Sequence, residues 1–143
     1  MEDKIVFSLP WFEIVARTIE GSNSPYYLLR TADYVSIVAL TTEGSLLLVR
    51  QQRPAVETET LELPSGHVEQ RESPETAARR ELAEETGYEA RRFELLGMLA
   101  PDTGRLANNL WCFFASDATP LQPHVKPEVG TTASILGFSC SRP

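Results

Sequence analysis

The chain has 143 residues, 42% of them hydrophobic and 23% charged, with a net charge of −7. That fits one globular domain burying roughly two-thirds of its unfolded surface, and leaves no room for two domains of ordinary size. With 20 acidic residues against 13 basic ones, no basic stripe is available to grip a nucleic-acid backbone. An acidic surface also repels phosphate groups unless bound divalent cations invert the local sign.

The start, Met1-Glu2-Asp3-Lys4, is acidic and reaches Pro10 before a signal-peptide core forms. No apolar run approaches the ~18 residues of a membrane span, so a soluble, cytoplasmic protein without membrane attachment is expected. Cys112 and Cys140 show no ligand or disulfide spacing. Cys112, inside Leu110-Trp111-Cys112-Phe113-Phe114, reads as a small buried hydrophobe.

In chain order, Trp11 to Ile19 and Tyr26 to Arg30 are rich in aromatic and β-branched residues. They flank the turn-like Gly21-Ser22-Asn23-Ser24-Pro25, which predicts an antiparallel hairpin. Tyr34 to Leu40 and Ser45 to Arg50, parted by Thr42-Glu43-Gly44, are nearly continuous apolar runs and predict strands covered on both faces. Thr58 to Leu63 predicts a short strand before a turn at Pro64-Ser65-Gly66.

Pro74 to Thr86 predicts a helix, with Ser73 as N-cap, Pro74 at its first position, Glu75 complementing the dipole and Gly87 ending it. Strands resume at Arg92 to Met98 and Asn109 to Ala115. After Thr119 the chain is punctuated by Pro120, Pro123 and Pro127, and one short strand is expected at Ala133 to Phe138.

Helical spacing of ~100° per residue puts Glu81, Glu84 and Glu85 on one face, beside the small Ala77 and Ala78. Like charges at these spacings repel by a few tenths of a kcal/mol per pair. Such a cluster adds little to stability, but it suits a hard cation that takes several oxygen ligands. The plainer reading, a solvated acidic face, fits Glu84-Glu85 taken alone.

The surrounding spacing favours the cation. Five residues separate Gly66 from Glu72 and seven separate Glu72 from Arg80-Glu81. Leu82, Ala83, Glu84, Glu85, Thr86, Gly87 and Tyr88 follow. This stretch resembles the 23-residue signature of the Nudix hydrolases at every invariant position, departing only at Tyr88, where that signature closes on an aliphatic residue.

The resemblance implies an α/β fold, an α/β/α sandwich around a mixed sheet, with the motif as loop–helix–loop. It implies Mg²⁺ as cofactor, with Mn²⁺ able to serve, and Glu81, Glu84 and Glu85 as catalytic residues. Glu81 and Glu85 would be direct ligands and Glu84 a direct or water-mediated one. Gly66 would allow a tight turn presenting the Ser65 carbonyl to metal. Glu72, Arg80 and Gly87 would be structural. Oxygen donors without a His or Cys cluster suit Mg²⁺, and His67 reads as a loop residue.

Val49 to Pro54 with Leu61 to Gly66, and Leu96 to Pro101 downstream, are similar to segments of the ADP-ribose and ADP-sugar diphosphatase branch. That resemblance implies cleavage of ADP-ribose or another ADP-sugar to AMP and a sugar phosphate. Arg50 or Arg53 would contact phosphate or ribose, and Trp11, Phe12 or Tyr27 would stack on a base, the plainer reading of each aromatic being a core or dimer contact.

It also implies a homodimer, with residues 1–32 a strand extension at the dimer contact and residues 33–143 the hydrolase domain. The C-terminal tail is shorter than the branch pattern, and the general base stays open among Glu84, Asp102 and Glu128. Two other readings compete: a house-cleaning hydrolase of modified nucleoside triphosphates, and an inactive nucleotide-binding module of the same fold with a truncated C-terminus.

Overall fold

The computed structural model describes residues 1–121, and the backbone of residues 131–136. Three strands, β1 (Asp3–Ser8), β2 (Phe12–Arg17) and β3 (Tyr26–Thr31), form an antiparallel sheet in that order. The β2–β3 hairpin is as expected, running from Phe12 opposite Thr31 to Arg17 opposite Tyr26. The acidic start gave no hint of β1. Its pairing is anchored across the sheet, where Arg17 donates to both oxygens of Asp3 (2.8 and 2.9 Å) and Arg30 reaches the same carboxylate (2.7 Å).

The second sheet is mixed. It runs β11 (Thr131–Leu136), β5 (Leu46–Arg53), β4 (Tyr34–Thr41), β10 (Leu110–Pro120), β8 (Tyr88–Glu89). Alongside this path, β6 (Thr58–Glu62) pairs with β5, β7 (Ser65–His67) with β4, and β9 (Arg92–Leu99) with β10. Among the described strands of this sheet, only β4 and β10 pair in parallel. β4 and β5 pair at a single position, Leu40 opposite Leu46; beyond it β7 takes up β4 and β6 takes up β5. Ser65 and Gly66, expected in a turn, are thus strand residues, as is His67.

Helix α1 (Pro74–Thr86) has the expected bounds. Ser73 Oγ accepts from the Thr76 N–H (3.1 Å), and Gly87, at φ 71°, occupies the left-handed conformation that favours glycine. Ser73→Ala is expected to cost about 1 kcal/mol, seen as a lower urea midpoint at unchanged slope. An unchanged midpoint would show that the cap contributes nothing.

Ala77, Ala78 and Leu82 pack on Val35, Ile37, Ala39 and Leu47 and on Phe113 and Ala115, and this is the main core. The two alanines bring the helix close to the sheet. Tyr88, the motif's departure, packs half-buried against the same cluster. Burial in β4 alternates strictly, so its second face is only half-buried rather than covered as expected. The reason is that α1 is the only α-helix among the described residues and lies on one side. Residues 122–130 and 137–143, with Glu128 and Cys140, lie outside the described residues.

The connection before β10 is stitched to its surroundings. Leu29 of β3 donates to the Arg105 carbonyl and accepts from the Ala107 N–H, both at 2.8 Å. Asp33 accepts from the Asn109 N–H (2.8 Å), the Asn109 amide and the Trp111 indole (3.0 Å). Burial acts to raise the Asp33 pKa, but the hydrogen bonds from Asn109 and Trp111 outweigh it and hold the carboxyl below its ordinary value.

Candidate functional site

A cleft of about 730 Å³ opens where β4 and β5 part. Its α1 side carries Arg80, Glu81 and Glu85; β7 supplies Ser65, Gly66 and His67; β5 supplies Gln51 and Arg53. Trp11, Thr31, Ala32, Leu106 and Asn108 form the side nearest the small sheet.

Glu85 is buried, accepting from the Ser65 N–H (2.8 Å) and the Gln51 side-chain amide (2.6 Å). Burial pushes its pKa up; the Glu81 carboxylate pushes it further, against the lowering effect of those two donors and Arg53. The strain is that of two negative groups sharing one partly dry space.

Arg80 organises the motif. It donates to Glu72 twice (3.1 Å each), to Glu81 (2.7 Å), to Glu84 (3.1 Å) and to the His67 carbonyl (2.9 Å). The hydrogen bond from Arg80 holds Glu72 below the usual carboxylate range. The expected structural role of Arg80 thus extends to ligand placement, since it ties β7 to three acids.

Gly66 serves the site differently from the turn expected of it. It sits in β7 opposite Val35, without a positive φ. A Cβ there would lie 1.9 Å from a carboxylate oxygen of Glu81, so only glycine leaves that carboxylate where it lies.

Not every predicted residue enters the cleft. Glu84 is turned to Arg80 with its side chain half exposed. Among the described residues, no three His, Cys, Asp or Glu side chains gather as a ready-made ion cage. Arg50 is exposed and pairs with Glu59 (2.8 Å). Strand alternation explains this: Gln51 and Arg53 point to one face of β5, Arg50 to the other. The same alternation, applied to Arg53, was the signal that would have found Gln51. Asp102 accepts from the Gly104 N–H (3.0 Å) and does not line the cleft.

Trp11 lines the cleft while 73% exposed. Phe12 instead stacks at a tilt on Phe7, centroids 6.4 Å apart. Tyr27 is exposed on the small sheet.

Arg53 in the cleft is held by Glu62 through two hydrogen bonds (2.9 and 2.7 Å). That bond, opposed by burial and aided by Thr60, lowers the Glu62 pKa to about 2. Being lowered from an ordinary 4.5, the Glu62 contribution is complete above that value and is lost as pH falls from about 4.5 toward 2. After solvent screening it is on the order of 1–2 kcal/mol. The stability gap between wild type and Glu62→Gln, by urea titration, is expected to shrink between pH 5 and 3, a window set by roughly that pKa range; a gap independent of pH would overturn it.

A NUDIX domain model matches residues 30–133. The chain is 29% identical over 120 residues to an ADP-ribose pyrophosphatase of Bacillus subtilis (strain 168), covering 82% of this chain and 65% of that one. It is 39% identical over 118 residues to an ADP-sugar pyrophosphatase of Mus musculus, covering 76% and 54%. Over 84 residues it is 37% identical to a methanol dehydrogenase activator of Bacillus methanolicus, covering 59% and 45%. The matches therefore span 45–65% of these relatives' lengths.

In fold it is similar to a crystal structure of an ADP compounds hydrolase, with TM-score 0.73 and 22% identity, over 95% of this chain and 76% of that one. With the motif helix, its arginine hub and the model match over more than half its length, the chain belongs to the NUDIX domain family.

Proposed function

We propose that the chain is a Mg²⁺-dependent diphosphatase, with Mn²⁺ able to serve, acting on ADP-ribose or another ADP-sugar to give AMP and a sugar phosphate. The observation that carries this reading is the convergence of Glu81 and Glu85 on one cleft that also holds Arg53 and Trp11. Relatives named for ADP-ribose and ADP-sugar pyrophosphatase activity support the substrate class.

The donor set fits a hard cation. Glu62, Glu69, Glu81 and Glu85 line the cleft against Arg53 and Arg80, an excess of acid that disfavours a diphosphate until cations are added. Glu81, Glu85 and the Ser65 carbonyl would hold the ion, with Glu84 reaching it directly or through water. Bound Mg²⁺ supplies neutralisation of the diphosphate oxygens and a lowered pKa for water.

The chain's own residues do the positioning. Ser65 and Gln51 fix Glu85 by hydrogen bonds, and Arg80 fixes Glu81 and Glu84. Arg53, oriented by Glu62, offers a guanidinium to phosphate or ribose. Trp11 offers a face for a base.

The test is Mg²⁺-dependent AMP release from ADP-ribose and ADP-sugars, beside phosphate release from modified nucleoside triphosphates. Faster hydrolysis of the triphosphates would replace this reading with the house-cleaning one. No turnover of either, with Mg²⁺ bound, would favour the binding module.

The same reading includes a homodimer built on residues 1–32. Ile5, Val6, Phe7, Trp11 and Tyr27 leave the small sheet with an exposed apolar surface, which supports an interface there. Sedimentation at micromolar concentration is expected to show twice the chain mass; a single species at 15.9 kDa would exclude the dimer. Among the described residues no helix is long and apolar enough to cross a membrane.

A further inference from the structure

We propose that Asn108 is a specificity-determining residue whose side-chain oxygen accepts a hydrogen bond from an O–H or N–H of the substrate remote from the diphosphate. The inference rests on the nucleotide-sugar reading above and deepens it. Asn108 lines the cleft and is 5% exposed. Its Nδ2 donates to the Ala32 carbonyl (3.2 Å), which fixes the amide's orientation, because a carbonyl can only accept.

Oδ1 is thereby turned away from Ala32. It is the one buried side-chain nitrogen or oxygen among the described residues that has no partner. An acceptor left so is costly, and native structures fill it from protein, water or ligand.

Its backbone is held on both sides, at Arg105 and Ala107 by Leu29 and at Asn109 by Asp33, so the residue is fixed in place on the cleft wall. Reaching it takes a side-chain adjustment on the cleft wall, of the kind common on ligand binding.

The chemistry of the occupant follows. A carboxamide oxygen accepts only, so phosphate oxygens cannot satisfy it, whereas a sugar hydroxyl or the exocyclic amine of a base can. Asn108 lines the cleft with Trp11, Thr31 and Ala32, to the last of which it is bonded, whereas Glu81 and Glu85 enter it from α1. The group it reads therefore belongs to the nucleoside or the terminal sugar.

The experiment compares wild type and Asn108→Leu on ADP-ribose, on its analogue with a 6-unsubstituted purine, and on analogues each lacking one ribose hydroxyl. Wild type is expected to lose roughly ten- to a hundredfold in kcat/KM on one analogue, chiefly through KM, and the variant is expected to lose nothing further on it. Loss on the purine analogue assigns the amine, and loss on a deoxy analogue assigns that hydroxyl.

Mg²⁺-induced stabilisation should match between the two proteins, which separates this effect from damage to the acidic side. Asn108→Ala takes the place of the Leu variant should that fail to fold. Equal turnover of all analogues by wild type, or equal discrimination by wild type and variant, overturns the proposal. Wild type that turns over none of these compounds overturns the functional reading itself, and the proposal with it.

Discussion

Replacing Glu81 by Gln is expected to lower kcat by about a thousandfold or more while the melting temperature without metal stays near that of wild type. The two halves of that result have separate causes. Glu81 is ion-paired with Arg80, the two side chains being 13% and 26% exposed. Gln still accepts a hydrogen bond from Arg80, and loss of the charge relieves the repulsion that Glu85 feels, so the two effects on folding oppose each other. Arg80 also keeps Glu72, Glu84 and the His67 carbonyl.

For catalysis the same change removes one of the two carboxylates that face each other in the cleft, and with it a charged oxygen ligand. The rise in melting temperature on adding Mg²⁺ should shrink in parallel. A loss of less than tenfold, with the Mg²⁺ effect intact, would remove Glu81 from the cation site.

Gly66→Ala is expected to behave almost as badly in turnover, for a reason of space. The backbone at Gly66 is ordinary strand, so alanine is conformationally acceptable there. What its methyl would meet is the carboxylate of Glu81, at 1.9 Å. The far end of a flexible side chain can swing away at little cost to folding, so stability should change by no more than about 1 kcal/mol. The displaced carboxylate can no longer share the cleft with Glu85 as it does now.

A misplacement of that size in a positioned group costs about a hundredfold in rate. Assays of kcat beside thermal melts check it. Full activity would show that Glu81 works from a second rotamer, and unfolding would show that strand β7 tolerates no side chain there.

The parts legible in sequence were those whose determinants are local. Ser73, Pro74 and Gly87 bracket α1 because capping chemistry is settled within a turn of the helix. The acidic face followed from helical geometry alone. Strand β1 was not legible, because what holds Asp3 to Ser8 is a partner strand and the guanidiniums of Arg17 and Arg30, well along the chain. Pro64 to Gly66 read as a turn because Pro and Gly are turn residues by propensity, while pairing with β4 made Ser65 to His67 a strand.

Of the paired arginines proposed for substrate, Arg53 reached the cleft and Arg50 did not, a distinction that the two-residue strand period already contained. Asn108 carried no signal in sequence. Its importance lies in where its amide nitrogen is committed.

The parallel pairing of β4 with β10 has a consequence in time. Asp33 and Asn109, which latch the start of that pairing, are 76 residues apart. Every cleft residue from Arg53 to Asn108 lies within the loop they close. At usual translation rates of about 5–20 residues per second, a β4 already synthesised waits roughly 4–15 s before β10 exists to join it. Val35, Ile37 and Ala39, fully buried in the finished protein, stand through that interval on a strand with one edge unclaimed. The nascent chain is therefore exposed to misassociation for longest while the motif itself is being made, and a holding chaperone would act to most effect there.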